Sequence, residues 1–250
     1  MVPRVAGRSY RHATATINLG RNISVTYAIE LSHLVQRPES VRTAHTSCVT
    51  PEQRIRRVTT VAVVLAAGAG SRFAGDAHKL TALLEGRTIL ERAIAAAVSA
   101  DVGPVLVVTG AIRVLTKLGE PVRLLDNPDW ASGQSSSLHV AVAAAAELGA
   151  DAIIVGLGDQ PFIDPDAWRR VAASASPIAV ATYDGTRRNP VRLHRSVWPL
   201  LPTDGDEGAR TLIRLRPDLV EEIPCPGSPV DIDTLEDLRT WQSKSSTNSQ

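Results

Sequence analysis

From Val61 onward the chain alternates between short apolar, β-branched runs and stretches with helical signals, and this rhythm restricts the fold more than any other feature. Val61–Leu65 reads as a buried strand, and it runs into the small-residue loop Ala66-Ala67-Gly68-Ala69-Gly70. Thr88-Ile89-Leu90-Glu91 has capping-box spacing, which predicts a helix to about Ala100, stopped by Gly103-Pro104. A strand at Val105–Val108, a helix near Arg113–Leu118 and a strand near Val122–Leu125 follow. Residues 134–148 form an Ala-rich helix, with Gly149 placed for its C-terminal cap. Ile153–Val155 is the next strand, and Asp164-Pro165 reads as an N-cap with proline at the first helical position. Ile178–Ala181 and Val191–Leu193 are further strands, and a last helix starts at Thr234 with Leu235, Leu238 and Trp241 on one side. Strand and helix alternating in this way predict an α/β fold of three α/β/α layers, with a mostly parallel sheet covered on both faces.

The 250 residues fall into segments of different character. Residues 1–60 hold nine Arg, no Lys and three Glu, a net of +6, so against a total of +1 the remainder carries −5. Residues 1–57 read as a poorly ordered, Arg-rich extension, 58–242 as the folded domain, and 243–250 as a flexible tail. A near-neutral total gives no global sign of nucleic acid or membrane as partner, and no run reaches the ~20 apolar residues of a membrane span. The two cysteines, Cys48 and Cys225, form no CxxC pair, which points to a reducing cytoplasm rather than a disulfide framework.

In doubly covered sheets, ligands bind beyond the carboxyl ends of the strands, so the residues just after each strand are the candidates for chemistry. Leu65 to Arg72, followed by Lys79, is the first: small residues let the backbone approach a phosphate chain, Arg72 can grip its oxygens bidentately and Lys79 adds a point charge. A ligand-free strand-to-helix turn explains the same loop. Lys79 is one of three lysines beside 24 arginines, a position where an ammonium is wanted. Asp159, in Gly158-Asp159-Gln160-Pro161, follows a buried strand directly and is placed to hold Mg²⁺ against phosphates; a solvated loop aspartate is the plain alternative. Asp231 and Asp233 share one side of an extended segment, and either can complete the metal site, although Asp233 and Glu236 also have the spacing of an ordinary helix cap. Asn127 to Leu138 contains Trp130, Gly133 and Ser135-Ser136-Ser137 at a helix start, where free N–H groups favour an anion or are simply capped. Arg187-Arg188-Asn189-Pro190 and Gly205 to Arg210 could line an acceptor pocket or form surface loops. The six histidines show no ligand spacing.

In order, the segments LAAGAGSRF…HK (65–79), NPDWASGQSSSL (127–138), GDQP (158–161), RNPV (188–191), GDEGAR (205–210) and DIDTLEDL (231–238) resemble the molybdenum cofactor cytidylyltransferases within the MobA-like NTP transferases. The resemblance implies a nucleotide-diphospho-sugar transferase type of fold and an Mg²⁺-dependent transfer of CMP from CTP to the terminal phosphate of molybdopterin, with pyrophosphate released. By the same resemblance, Ala66, Ala67 and Gly68 hold the base and ribose, Arg72 and Lys79 neutralise the triphosphate, and Asp159 and Asp233 hold the metal. Gly133, Ser135, Ser136, Ser137, Arg188 and Asn189 face the nucleotide or acceptor. A client molybdoenzyme or its maturation chaperone is then implied downstream. Competing readings are a guanylyltransferase or sugar-phosphate nucleotidyltransferase, a glycosyltransferase using the Asp-x-Asp at 231–233, and a non-catalytic pterin-binding chaperone.

Overall fold

The structure, a computed structural model, describes residues 12–18, 24–30, 60–73, 78–112 and 122–247. The chain divides into two units, Met1–Gln53 and Arg54–Gln250. In the first, β1 (His12–Asn18) pairs antiparallel with β2 (Ser24–Glu30), two strands inside the segment expected to be poorly ordered.

The second unit is built on a seven-stranded sheet. Its strands are β3 (Thr60–Ala66), β6 (Val105–Thr109), β7 (Val122–Asp126), β8 (Ala152–Leu157), β9 (Ile178–Tyr183), β10 (Thr186–His194) and β11 (Val220–Pro224). A two-residue pair, β4 (Leu83–Leu84) with β5 (Arg87–Thr88), stands apart. The sheet order is β11-β9-β10-β8-β3-β6-β7. β10 alone is antiparallel to its neighbours. The cause is local: Asp184 and Gly185, both at positive φ (49° and 73°), make a two-residue turn of the kind that joins hairpin strands.

The helices are α1 (Ile89–Ser99), α2 (Gln134–Glu147), α3 (Pro165–Ala172), α4 (Arg210–Leu215) and α5 (Leu235–Thr247). The predicted capping box of α1 is present: Thr88 Oγ1 accepts from the Glu91 N–H, and the Glu91 carboxylate accepts from the Thr88 N–H. Asp164 caps α3 with Pro165 inside its first turn, as its sequence predicts. The predicted helix at 113–118 lies outside the described residues. α5 runs on to Thr247, past residue 243 where the sequence suggested a tail.

β3 explains why its sequence is an unbroken apolar run. Ala62, Val64 and Ala66 face the layer of α1, α3 and α5, while Val61, Val63 and Leu65 face the layer of α2 and α4, and all six are buried. Burying one Leu, Ile or Val side chain contributes roughly 1.5–3 kcal/mol, so truncating a residue such as Leu90 to Ala should cost about 2–5 kcal/mol. β6 and β7 extend the sheet on one side of β3, and β8 begins the other side, so the strand order reverses between β3 and β8. The loops that leave their carboxyl ends therefore flank a topological switch point.

Candidate active site

The loop after β3 is shaped by local contacts. The Phe73 N–H closes a turn onto the Gly70 carbonyl at 2.9 Å, and the Phe73 side chain anchors in the core. His78 then ties the loop from the far side. Its Nδ1 accepts from the Leu80 N–H at 3.2 Å, so in the neutral ring the proton sits on Nε2, which donates to the Gly68 carbonyl at 3.0 Å. Burial, followed by the neighbouring Lys79 charge, lowers the His78 pKa against the pull of the Gly68 carbonyl, which keeps this arrangement neutral. No ligand spacing marked His78, and its part in holding the loop has no sequence signature.

Lys79 follows, at the start of a short 3-10 turn. Its ammonium donates to Asp159 Oδ2 at 2.6 Å and to Asp233 Oδ1 at 2.7 Å, and Arg72 reaches Asp233 Oδ2 at 3.0 Å. The side chains of Lys79, Asp159 and Asp233 are 12%, 19% and 25% exposed, whereas Arg72 is 77% exposed. Burial alone would lower the Lys79 pKa; the two carboxylates more than offset it, and the pKa is raised. Arg72 and Lys79, Asp159, and Asp233 thus meet at one point although they are far apart in sequence.

Backbone and ring contacts bring the third of these segments in. The Ile232 N–H donates to the Asp159 carbonyl at 3.0 Å, and Phe162 lies against Trp241 of α5 with ring centroids 4.1 Å apart. The helix cap falls one residue later than the sequence suggested. Thr234 and Asp237 cap α5 reciprocally, the Thr234 N–H donating to Asp237 Oδ2 at 2.9 Å and the Asp237 N–H to Thr234 Oγ1 at 3.1 Å. Asp233 and Glu236 therefore are not the capping pair, and the Asp233 carboxylate is left for Lys79 and Arg72. Asp231 takes a different partner, accepting from Gln160 Nε2 at 2.7 Å. Partial desolvation of its carboxyl, though the residue as a whole is exposed, and the nearby Asp159 charge push its pKa up.

Beside this cluster, at the switch point, is a cleft of about 360 Å³. Leu65, Ala67, Gly68 and Ala69 from the β3 end, Leu157 and Asp159 from the β8 end, Trp130 from a 3-10 turn, Gly133, Gln134 and Ser137 from the start of α2, and Asp206 line it. Gly133 has φ +110°, and a Cβ there would stand 2.5 Å from the Gly205 carbonyl oxygen, so only glycine allows this close approach of two loops. The Ser135 N–H donates to that carbonyl at 3.0 Å.

Of the residues singled out in the sequence, Leu65, Ala67, Gly68, Gly133, Ser137 and Asp159 line the cleft, with Lys79 and Asp233 bonded around Asp159. Others are elsewhere. Ala66 alternates to the opposite face of β3 and is packed in the core. Ser135 is fully buried, and its hydroxyl has no partner. Ser136 and Ser137 accept from Asn127 Nδ2 at 2.9 Å each, which fixes the start of α2. Arg188 and Asn189 line a separate cavity. Gln134 and Asp206 were not singled out individually; both sit in the quoted segments, but nothing in their spacing distinguishes them.

The arrangement suits a polyanion held with a divalent cation. Two carboxylates from different segments converge, and Asp159 Oδ1 is a buried acceptor with no hydrogen-bond partner. That orphan oxygen fits a cation, and phosphate oxygens would complete its coordination, since the described residues contain no cluster of three or more His, Cys, Asp or Glu able to hold a metal alone.

Residues 62–222 match the MobA-like NTP transferase domain. The chain belongs to this family. It is a MobA-like nucleotidyltransferase domain with the nucleotide-diphospho-sugar transferase type of fold. The nicotine blue oxidoreductase of Paenarthrobacter nicotinovorans is 33% identical over 193 residues, 70% of this chain and 93% of that protein. The molybdenum cofactor guanylyltransferase of Acidiphilium cryptum is 34% identical over 147 residues, 58% of this chain and 70% of that protein. Among solved structures, Rv0371c of Mycobacterium tuberculosis is similar at a TM-score of 0.64 with 27% identity, covering 75% of this MobA-like chain and all of its own. A crystal structure of Rv0371c in complex with manganese has a TM-score of 0.59 and 26% identity, covering 74% of this chain and 98% of its own. No helix among the described residues is long and apolar enough to cross a membrane.

Proposed function

We propose that this protein transfers CMP from CTP to the terminal phosphate of a molybdopterin-type acceptor and releases pyrophosphate. The observation that carries nucleotidyl transfer is the convergence of Lys79, Asp159 and Asp233 beside a cleft lined by Ala67, Gly68 and Ala69. An acceptor phosphate oxygen attacks the α-phosphorus, the bond from that phosphorus to the bridging oxygen breaks, and pyrophosphate leaves with the electron pair. The attacking group is already an anion, so no side-chain nucleophile is needed; positioning and charge neutralisation carry the reaction.

Asp159 and Asp233 would hold the divalent cation, Mg²⁺ on this reading, which supplies charge stabilisation to the phosphates. Lys79 and Arg72 meet the triphosphate from the same side. Ala67, Gly68 and Ala69 present backbone groups and small side chains to the base, which favours main-chain recognition in a narrow space. CTP as the donor rests on the resemblance of LAAGAGSRF to the cytidylyltransferases. A relative that is a guanylyltransferase supports GTP as the alternative donor.

The test is pyrophosphate release from each of four NTPs with purified molybdopterin as acceptor and Mg²⁺ or Mn²⁺ present. CTP should give the highest kcat/KM, and Ala67→Gly should erode the preference for CTP over GTP more than it slows CTP turnover. A wild-type preference for GTP overturns the cytidylyl assignment and leaves nucleotidyl transfer standing. Release of no pyrophosphate from any NTP overturns both.

A further inference from the structure

The nucleotide cleft is lined by a second carboxylate, Asp206, which the Lys79–Asp159–Asp233 cluster does not use. It reaches the cleft where the loop before α4 meets the start of α2. A Cβ at Gly133, the N-cap of α2, would stand 2.8 Å from Asp206 Oδ1. A Cβ at Gly208 would stand 3.4 Å from the Gln134 amide, so the loop lies along the first turn of α2. The neighbouring Glu207 is taken by Arg214 at 2.9 Å and by the Thr211 hydroxyl at 2.6 Å. Asp206 is exposed, and its carboxylate makes no hydrogen bond or ion pair among the described residues.

The other polar groups of the cleft differ in kind. Asp159 is bonded to Lys79 at 2.6 Å and Ser137 to Asn127 at 2.9 Å. Gln134 carries an amide that can donate or accept, and so adapts to either kind of base edge. A carboxylate accepts and does not donate. Among the described residues no Lys or Arg lines the cleft to neutralise it, whereas Lys79 and Arg72 stand at Asp159 and Asp233. A triphosphate is therefore drawn to that cluster and repelled from Asp206, which leaves the neutral end of the nucleotide to face it. We infer that Asp206 is a specificity-determining residue for the donor, its carboxylate accepting from an exocyclic amino group of the base. This rests on the nucleotidyl-transfer reading. Cytosine has such a group at position 4, where uracil has a carbonyl oxygen. A narrow cleft separates pyrimidines from purines by size but cannot separate cytosine from uracil, which have nearly the same shape. A fixed acceptor can: the uracil oxygen brings no donor, and Asp206 would lose water for no partner.

The experiment measures equilibrium binding to the full chain, by calorimetry in Mg²⁺, of CTP, UTP, 2′-deoxy-CTP and a CTP analogue with hydrogen in place of the 4-amino group. The wild type should bind CTP about 10- to 100-fold more tightly than UTP, the range for one charge-assisted hydrogen bond. The deamino analogue should fall between them, a readout that needs no variant. In Asp206→Asn the amide can turn its N–H toward a 4-oxo group, so the ratio of CTP to UTP affinity should fall to within about 3-fold, chiefly because UTP gains. The melting temperature should stay at the wild-type value, since the carboxylate has no partner to lose. 2′-Deoxy-CTP should trail CTP by the same factor in both proteins.

A wild type that binds UTP or the deamino analogue as tightly as CTP overturns the inference. So does a ratio of CTP to UTP affinity that Asp206→Asn leaves unchanged. A substitution that instead closes the gap between CTP and 2′-deoxy-CTP assigns Asp206 to the ribose and overturns it as well. If the wild type prefers GTP, the cytidylyl reading falls while the amino-group inference is judged on GTP against ITP, which lacks the 2-amino group. A preference for GTP over ITP that disappears in Asp206→Asn then sustains the inference, and one that persists overturns it. A wild type that binds none of these nucleotides overturns the nucleotidyl-transfer reading and the inference together.

Discussion

Lys79→Met removes one charge from the site while keeping the length and apolar stem of the side chain. In the wild type the ammonium stands 2.6 Å from Asp159 Oδ2 and 2.7 Å from Asp233 Oδ1. Those contacts laid end to end put the two carboxylate oxygens no more than about 5 Å apart, where like charges repel by about 3 kcal/mol at an effective dielectric of 20. Arg72 remains on Asp233, but it is largely exposed and offsets little. We therefore expect a loss of about 2–3 kcal/mol in the metal-free protein, equivalent to a melting temperature lower by roughly 5–10 °C for a domain of this size.

Thermal melts in EDTA and in millimolar MgCl₂ or MnCl₂ check this. A divalent cation drawn to the two aspartates replaces the missing ammonium, so metal should stabilise Lys79→Met more than the wild type. The pKa of Lys79 is raised in the fold, so its stabilisation is complete below the ordinary value of 10.5 and disappears as pH rises through the raised value. The gap between wild type and variant in EDTA should therefore close only in strong alkali. A loss below about 1 kcal/mol, or equal metal stabilisation of the two proteins, would refute the reasoning, because it would mean that the carboxylates do not share one charge-compensated point.

Asp159→Asn should lower metal-dependent turnover by roughly 10²-fold or more, as on removing one preorganised charge stabiliser, and leave the fold intact; steady-state pyrophosphate release measures it. Gly133→Ala must place a Cβ 2.5 Å from the Gly205 carbonyl at φ +110°, so it should cost about 1–3 kcal/mol and weaken NTP binding, read by melting and by titration with CTP; an unchanged CTP affinity would count against Gly133 as a wall of the cleft. A chain beginning at Arg56 should keep its melting temperature and CTP affinity, since among the described residues both apolar layers are built from 61–241; a large fall in stability would contradict the assignment of 1–57 as a dispensable extension.

Much of the fold is legible in the sequence because its signals are local. The capping box of α1, the Asp164-Pro165 start of α3 and the apolar run of β3 each depend on a few adjacent residues, and each is where it was expected. The antiparallel β10 was equally local: the pair Asp184-Gly185 is a hairpin turn signal, and weighing it against the alternating rhythm would have turned that strand around. α4 and β11 escaped for another reason. α4 has six residues, too few to show a period, and β11 is an edge strand, half exposed, whose Val-Glu-Glu-Ile-Pro carries no continuous apolar run.

The site divides along the same line. Lys79, Asp159 and Asp233 could be singled out by local cues, Asp159 as the carboxylate just past β8, Lys79 as one of three lysines after a small-residue loop and Asp233 by its alternation with Asp231, but their meeting depends on contacts between Phe162 and Trp241 and between Ile232 and Asp159 that no spacing rule encodes. The cap of α5 separates local from tertiary information. Asp233 and Glu236 satisfy the spacing of a cap, yet so do Thr234 and Asp237 one step along, and a pattern cannot choose between adjacent registers. Tertiary structure chooses: if Asp233 capped α5, its carboxylate would turn toward the helix and Lys79 would face Asp159 alone. With Thr234 as the cap, Asp233 is free to share the ammonium. One residue of register therefore decides whether the ammonium of Lys79 meets one carboxylate or two.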